Sequence, residues 1–148
     1  MHANTAKDVD EFFELAKSYK NGEFHCLPLA MAHLFDYDNK VIIIAKGAVR
    51  NRIYTELRDK LRKLFDSYVA YNSHHHMLTN VDTASAVRLM ACGPRTLRLL
   101  NQWKNKTTIH DAVKMIVLFG FDETDNMWLD ILDTANAYQC RVTTISTS

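Results

Sequence analysis

Glycine and proline are scarce in this sequence, with 4 Gly and 2 Pro in 148 residues. That scarcity excludes long disordered linkers and argues against a turn-rich all-β sandwich. Cysteine is also rare: Cys26, Cys92 and Cys140 are odd in number, far apart and without a CxxC pair. Such a set does not make a disulfide framework and fits reduced thiols in an intracellular protein. Long apolar runs are missing too. The longest are Val41–Ala45 and Met115–Phe121, far short of the ~20 residues that a membrane span needs. The opening MHANTAKDVDEFF has no apolar stretch of signal-peptide type and turns acidic at once. A soluble, intracellular protein of cytoplasm or nucleus, with no membrane association, is the expectation.

What is present is 47% hydrophobic and 24% charged sequence, enough at this length for one domain with its own core. Thr5-Ala-Lys-Asp8 has the form of a capping box before Val9, Phe12, Phe13, Ala16 and Tyr19, which recur at helical spacing until Asn21-Gly22. Pro28 suits the first turn of a short helix ending near Phe35. Residues 48 to about 72 give the clearest amphipathic pattern. Ile53, Tyr54, Leu57, Leu61, Leu64, Phe65 and Tyr68 share one face, and Glu56, Asp59, Arg62, Lys63 and Asp66 share the other. Further helices are expected over about 83–92, closed by Gly93-Pro94, over Arg95–Lys104, and over Asp125 to about Tyr138. Between the last two, Thr107 to Asp111 reads as a cap for Ile109–Phe119, where apolar residues surround nearly the whole helical projection, the pattern of a helix buried on all sides. The run Val41–Ala45 is strand or buried helix; periodicity does not choose.

The expected fold is therefore mainly α: a single compact bundle of six or seven helices around a buried apolar helix (about 109–119). One helical domain spans 1–140, and 141–148 form a short tail or edge strand. A minor β element is drawn from Glu23–Leu27, Val41–Ala45 and Val142–Ser146. In layout such a bundle resembles Bcl-2-like folds, which surround a buried helix, although the Asn-Trp-Gly-Arg stretch of that family has no counterpart here.

Net charge is +1, yet the charges are segregated. Residues 1–39 carry 3 basic and 7 acidic side chains, 40–110 carry 13 and 4, and 111–148 carry 2 and 6. Within the basic middle, Arg88, Arg95, Arg98, Lys104 and Lys106 lie in a stretch from Thr83 to His110 that holds no acid. Gly93-Pro94-Arg95-Thr96 would present backbone N–H groups at a helix start beside an arginine, which attracts phosphate. Trp103 is a candidate base-stacking platform, with a place in the core as its competing reading. A second basic run, Arg50, Arg52, Arg58, Lys60, Arg62 and Lys63, is interleaved with acids and reads as an ordinary solvated helix face.

No nucleophile motif, phosphate loop or zinc-type ligand spacing occurs. Cys92 is the one thiol placed for activation, at a helix terminus near Arg95, or else a small buried residue. His74, His75 and His76 are adjacent, and neighbours in a chain point apart, so the three do not form one metal site. At a helix end or loop they would add charge to the basic middle as pH falls. The expectation is a non-enzymatic module, with no catalytic residue, metal or cofactor, that binds RNA or DNA through Arg88, Arg95, Arg98, Lys104, Lys106 and Trp103. The alternative is a protein-interaction bundle that holds a partner helix in a groove or pairs with a second copy of itself.

Overall fold

The computed structural model of the protein describes residues 40–64, 69–72, 74–80, 85–106 and 113–145. The expected first helix, the short helix after Pro28, the strand at Glu23–Leu27 and the cap at Thr107–Asp111 lie outside them. The described elements are, in chain order, β1 (Lys40–Ala45), α1 (Gly47–Leu64), β2 (Val69–Asn72), β3 (Met77–Asn80), β4 (Ala86–Ala91), α2 (Pro94–Lys104), β5 (Val113–Phe119), α3 (Asn126–Asn136) and β6 (Arg141–Ile145). The six strands form one sheet in the order β2-β3-β4-β1-β5-β6. Strands β4, β1, β5 and β6 are parallel, and the β2–β3 hairpin adds to β4 antiparallel.

This overturns the all-helical bundle: the chain is α/β, with three described helices on a mixed sheet. Two of the expected helices are strands, for a shared physical reason. The expected buried helix over about 109–119 is β5, which pairs with β1 on one side and β6 on the other. A central parallel strand is buried on both faces, so its sequence is a near-continuous apolar run, here broken only at Lys114, and loses the alternation that marks a half-exposed strand. A helix buried all round leaves the same trace. Residues 83–92, read as a helix, contain β4, whose parallel pairing to β1 is long range and leaves no local signal, although β3 on its other side is its neighbour in the chain. The Val41–Ala45 ambiguity resolves as strand β1. The helix expected to reach residue 72 ends at Leu64, and its last residues belong to β2. By contrast, α2 and α3 fall where capping chemistry placed them. Pro94 opens α2, and the Asp125 carboxylate caps α3 by accepting from Met127 N at 2.9 Å.

The strands alternate between two cores. Ile42 and Ile44 of β1, Met90 of β4 and Ile116 and Leu118 of β5 pack with Leu100 of α2 and with Trp128, Ile131 and Ala135 of α3. The intervening residues Val41, Ile43, Val87, Leu89, Met115, Val117 and Phe119 point the other way and are buried. The second face is covered by α1, which packs on β4 and β1 and buries Ile53, Tyr54 and Leu57 at helical spacing. The sheet is thus the middle of three layers, and each fully buried aliphatic side chain contributes roughly 1.5–3 kcal/mol. Between α2 and α3 the Tyr138 hydroxyl donates to the Leu100 carbonyl at 2.6 Å. Among the described residues no helix is long and apolar enough to cross a membrane.

A candidate anion site at the end of β4

In an open parallel sheet, ligands bind beyond the carboxyl ends of the strands, because there the loops and helix N-termini converge. Here that edge gathers the ends of β1, β4 and β5. Cys92 N donates to Ala45 O at 2.8 Å, which ties the turn after β4 to the end of β1. The β2–β3 turn comes to the same edge because β3 runs antiparallel to β4. Leu89 N donates to the His76 carbonyl at 2.9 Å and fixes it there. Within the turn, the Asn72 side chain accepts from His75 N at 3.1 Å, and His76 adopts a left-handed backbone with φ 49°.

These contacts enclose a pocket of ≈ 320 Å³ whose walls come from three directions. Arg50 projects from the first turn of α1, His74, His75 and His76 from the hairpin, and Arg88 and Arg95 from β4 and the start of α2. Gly93, Pro94 and Thr96 supply the N-terminal turn of α2 as the remaining wall. The Thr96 hydroxyl donates back to the Ala91 carbonyl, closing the β4–α2 corner. No acidic side chain is among the described residues that line the pocket, and none occupies the first turn of α2. The positive end of that helix therefore adds to the guanidinium charge.

The titration of the pocket reflects burial first and like charge second. Burial, then the neighbouring Arg95, lowers the pKa of Arg88. His76 is lowered by burial first, then by Arg50 and His74. The Arg88 Nε–H is itself buried and has no acceptor among the described residues.

The six residues expected from sequence to bind nucleic acid separate into two groups. Arg88 and Arg95 line the pocket, and Arg98, exposed one turn along α2 from Arg95, is not among its lining residues. Lys104 ends α2, roughly 14 Å from Arg95 along the helix axis, and Lys106 lies just beyond it; both are exposed. Trp103 has the Arg88 guanidinium over its ring, 4.9 Å from the centroid, and packs against the α2/α3 core. One face of the indole is therefore taken by a cation–π contact, which does not suit a stacking platform. Arg50 was missed by sequence reasoning, because acids interleave with its basic run. Its position in the run was the available signal, since it stands in the first helical turn next to a strand end. Of the two expected placements of the histidines, helix end or loop, the structure has the loop, as the turn of the β2–β3 hairpin, and it places them in the same pocket as the basic residues.

Cys92 is not an activated thiol. Burial, with Asp125 adding to it, pushes its pKa up to about 11, and the opposing effect of Lys46 is smaller. Cys140 is likewise pushed up to about 11 by burial. Among the described residues no group of three or more His, Cys, Asp or Glu is placed to hold a metal ion. No protein-family model matches the chain, and no curated protein is significantly similar to it in sequence.

Proposed function

We propose that the chain is a binding module for an acidic partner, RNA or DNA, and that it takes phosphate in the pocket at the end of β4. The observation that carries this reading is the convergence of Arg50, Arg88, Arg95 and three histidines, from three separate segments of the chain, on one helix N-terminus with no described acidic side chain between them. Arg98 extends the site along α2, while Lys104 and Lys106 would meet only a ligand long enough to follow that helix. The free thiols Cys92 and Cys140 support an intracellular setting, cytoplasm or nucleus.

Phosphate contacts release condensed counterions, so binding of a single strand should weaken with salt at a slope of about 0.7 per phosphate neutralised. The test is a titration of labelled single-stranded and duplex RNA and DNA at low and moderate salt. A steep, sequence-independent salt dependence that becomes shallower in Arg95→Gln is expected. Absence of binding at low salt, or affinity indifferent to salt, sinks the reading.

A further inference from the structure

We propose that the ligand group held in the pocket is a terminal phosphomonoester, on the end of a nucleic-acid strand or on a free nucleotide, in preference to a backbone phosphodiester. This rests on the phosphate-binding reading above and narrows it. The first support is shape. A concavity of ≈ 320 Å³ between a hairpin turn and a helix start matches the lower range of small-ligand pockets. A duplex does not enter a space of that size, and the interior of a single strand would have to turn in and out of it. The end of a strand has only to enter.

The second support is charge. A backbone diester carries a single negative charge, whereas a monoester carries about −1.5 to −2 near neutral pH and three strong acceptor oxygens. The pocket is lined by Arg50 and Arg95, with the Arg88 guanidinium turned onto Trp103, and by the positive end of an 11-residue helix, equivalent to about half a charge. One diester leaves most of that uncompensated; a dianion matches it better. Guanidinium forks also pair with two phosphate oxygens at once, which favours a group with three free oxygens over one with two.

The third support is approach. A Cβ built on Gly93 meets no atom within 4 Å, so open space lies directly beside the backbone that leads into α2. Gly93 has an extended backbone, with φ 177°, that any residue adopts. A methyl group there leaves the fold intact and narrows the access of phosphate to the helix start.

The test compares one short single strand, made as RNA and as DNA, with a 5′-phosphate, with a 3′-phosphate and with hydroxyl at both ends, by anisotropy at low salt. Uridine and adenosine monophosphates and inorganic phosphate are titrated separately by calorimetry. A terminal phosphate on one end should tighten binding by about tenfold, the effect of one strong charged hydrogen-bond pair. Gly93→Ala and Arg95→Gln should each shrink that difference. Equal, salt-dependent affinity with and without the terminal phosphate overturns this inference and leaves the nucleic-acid reading standing. Binding of the monophosphates without binding of any strand supports the terminal-phosphate site and overturns the nucleic-acid reading. Binding of neither strands nor monophosphates overturns both.

Discussion

The same edge of the sheet carries two clusters of opposite charge, and they differ in what their charges are doing. At the end of β5, Asp122, Glu123 and Asp125 crowd the loop into α3. There Asp122 accepts from both the amide and the hydroxyl of Thr124, at 2.9 and 2.7 Å, and those bonds, helped by Lys46, hold its pKa below the usual carboxylate range. Asp125 caps α3. At the end of β4, Arg50, Arg88, Arg95 and the histidines line one pocket. Arg50 Nε donates to its neighbour Asn51, at 2.7 Å, and the pKa values of Arg88 and His76 move in the direction that burial and then like charge dictate. Asp122 and Asp125 are satisfied within their own loop and helix start, whereas the basic cluster has no described acidic side chain in its pocket.

The largest effect expected at the acidic end comes from its floor. Trp128 is fully buried, and Phe121, at the start of the acidic loop, packs edge-on against it with ring centroids 6.0 Å apart. Trp128→Ala should cost about 3–5 kcal/mol of stability, read as a lowered denaturant midpoint. Trp128→Phe should cost far less, since it keeps an aromatic ring under the loop and removes an indole N–H that has no acceptor among the described residues. Equal losses in the two variants would show that the site fails to accommodate any change in ring shape.

At the basic end the sign reverses. Arg50→Glu with Arg95→Glu should weaken binding of a single strand by about a hundredfold at low salt, because each arginine supplies a charged hydrogen bond to phosphate worth roughly 1.4 kcal/mol. The same pair of substitutions should leave the unfolding midpoint unchanged or raise it, because it removes repulsion from Arg88 and His76. A protein that unfolds readily would mean that the arginines support the fold, and the contrast between the two clusters would collapse.

How much of this the sequence foretold follows the range of the interactions involved. Helix starts are local chemistry. Gly93-Pro94 and Asp125 announced α2 and α3, and the helix start at Gly93-Pro94-Arg95-Thr96 that carries the proposed anion site was legible in the same residues. Strand pairing is not local: nothing near Val113 or Ala86 tells the chain that β5 and β4 will flank β1, and burial on both faces removes the alternation that would mark them. The helical reading failed at those elements for that reason. The candidate site divided the same way. Arg88 and Arg95 stood out because their stretch holds no acid, but Arg50 is brought to them only by α1 crossing the sheet. The contact of Trp103 with Arg88 was not legible because the two are 15 positions apart on different elements.

A smaller effect tests the acidic cluster from its cap. Asp125→Ala removes the acceptor for Met127 N and should cost about 1 kcal/mol of stability. Strand affinity should stay the same or rise slightly, since a negative charge leaves the edge. A large loss of binding in this variant would mean that the acidic loop takes part in the site.

The smallest effect is the pH response of the hairpin turn. His76 faces Arg50, its neighbours His74 and His75 and the ring of Tyr54, whose centroid is 5.1 Å away. Arg88 and Arg95 lie in the same pocket. Because its pKa is below the ordinary 6.5 in the folded chain, the unfolded chain binds the proton first as pH falls. Stability present above about pH 6.5 is therefore lost as pH drops toward the folded pKa, and it levels off below that value. The exposure of the turn keeps the slope shallow. His76→Asn accepts the left-handed backbone and should flatten the His76 part of the slope between about pH 7.5 and 5.5, while carboxylates elsewhere contribute equally to both proteins. Bound phosphate supplies the opposite charge that the turn lacks and favours protonated His76. Saturating phosphate should then reduce the acid loss in the parent protein and leave His76→Asn nearly unaffected. If phosphate protects both proteins alike, the turn is outside the reach of the bound anion, and the basic cluster contracts to its three arginines.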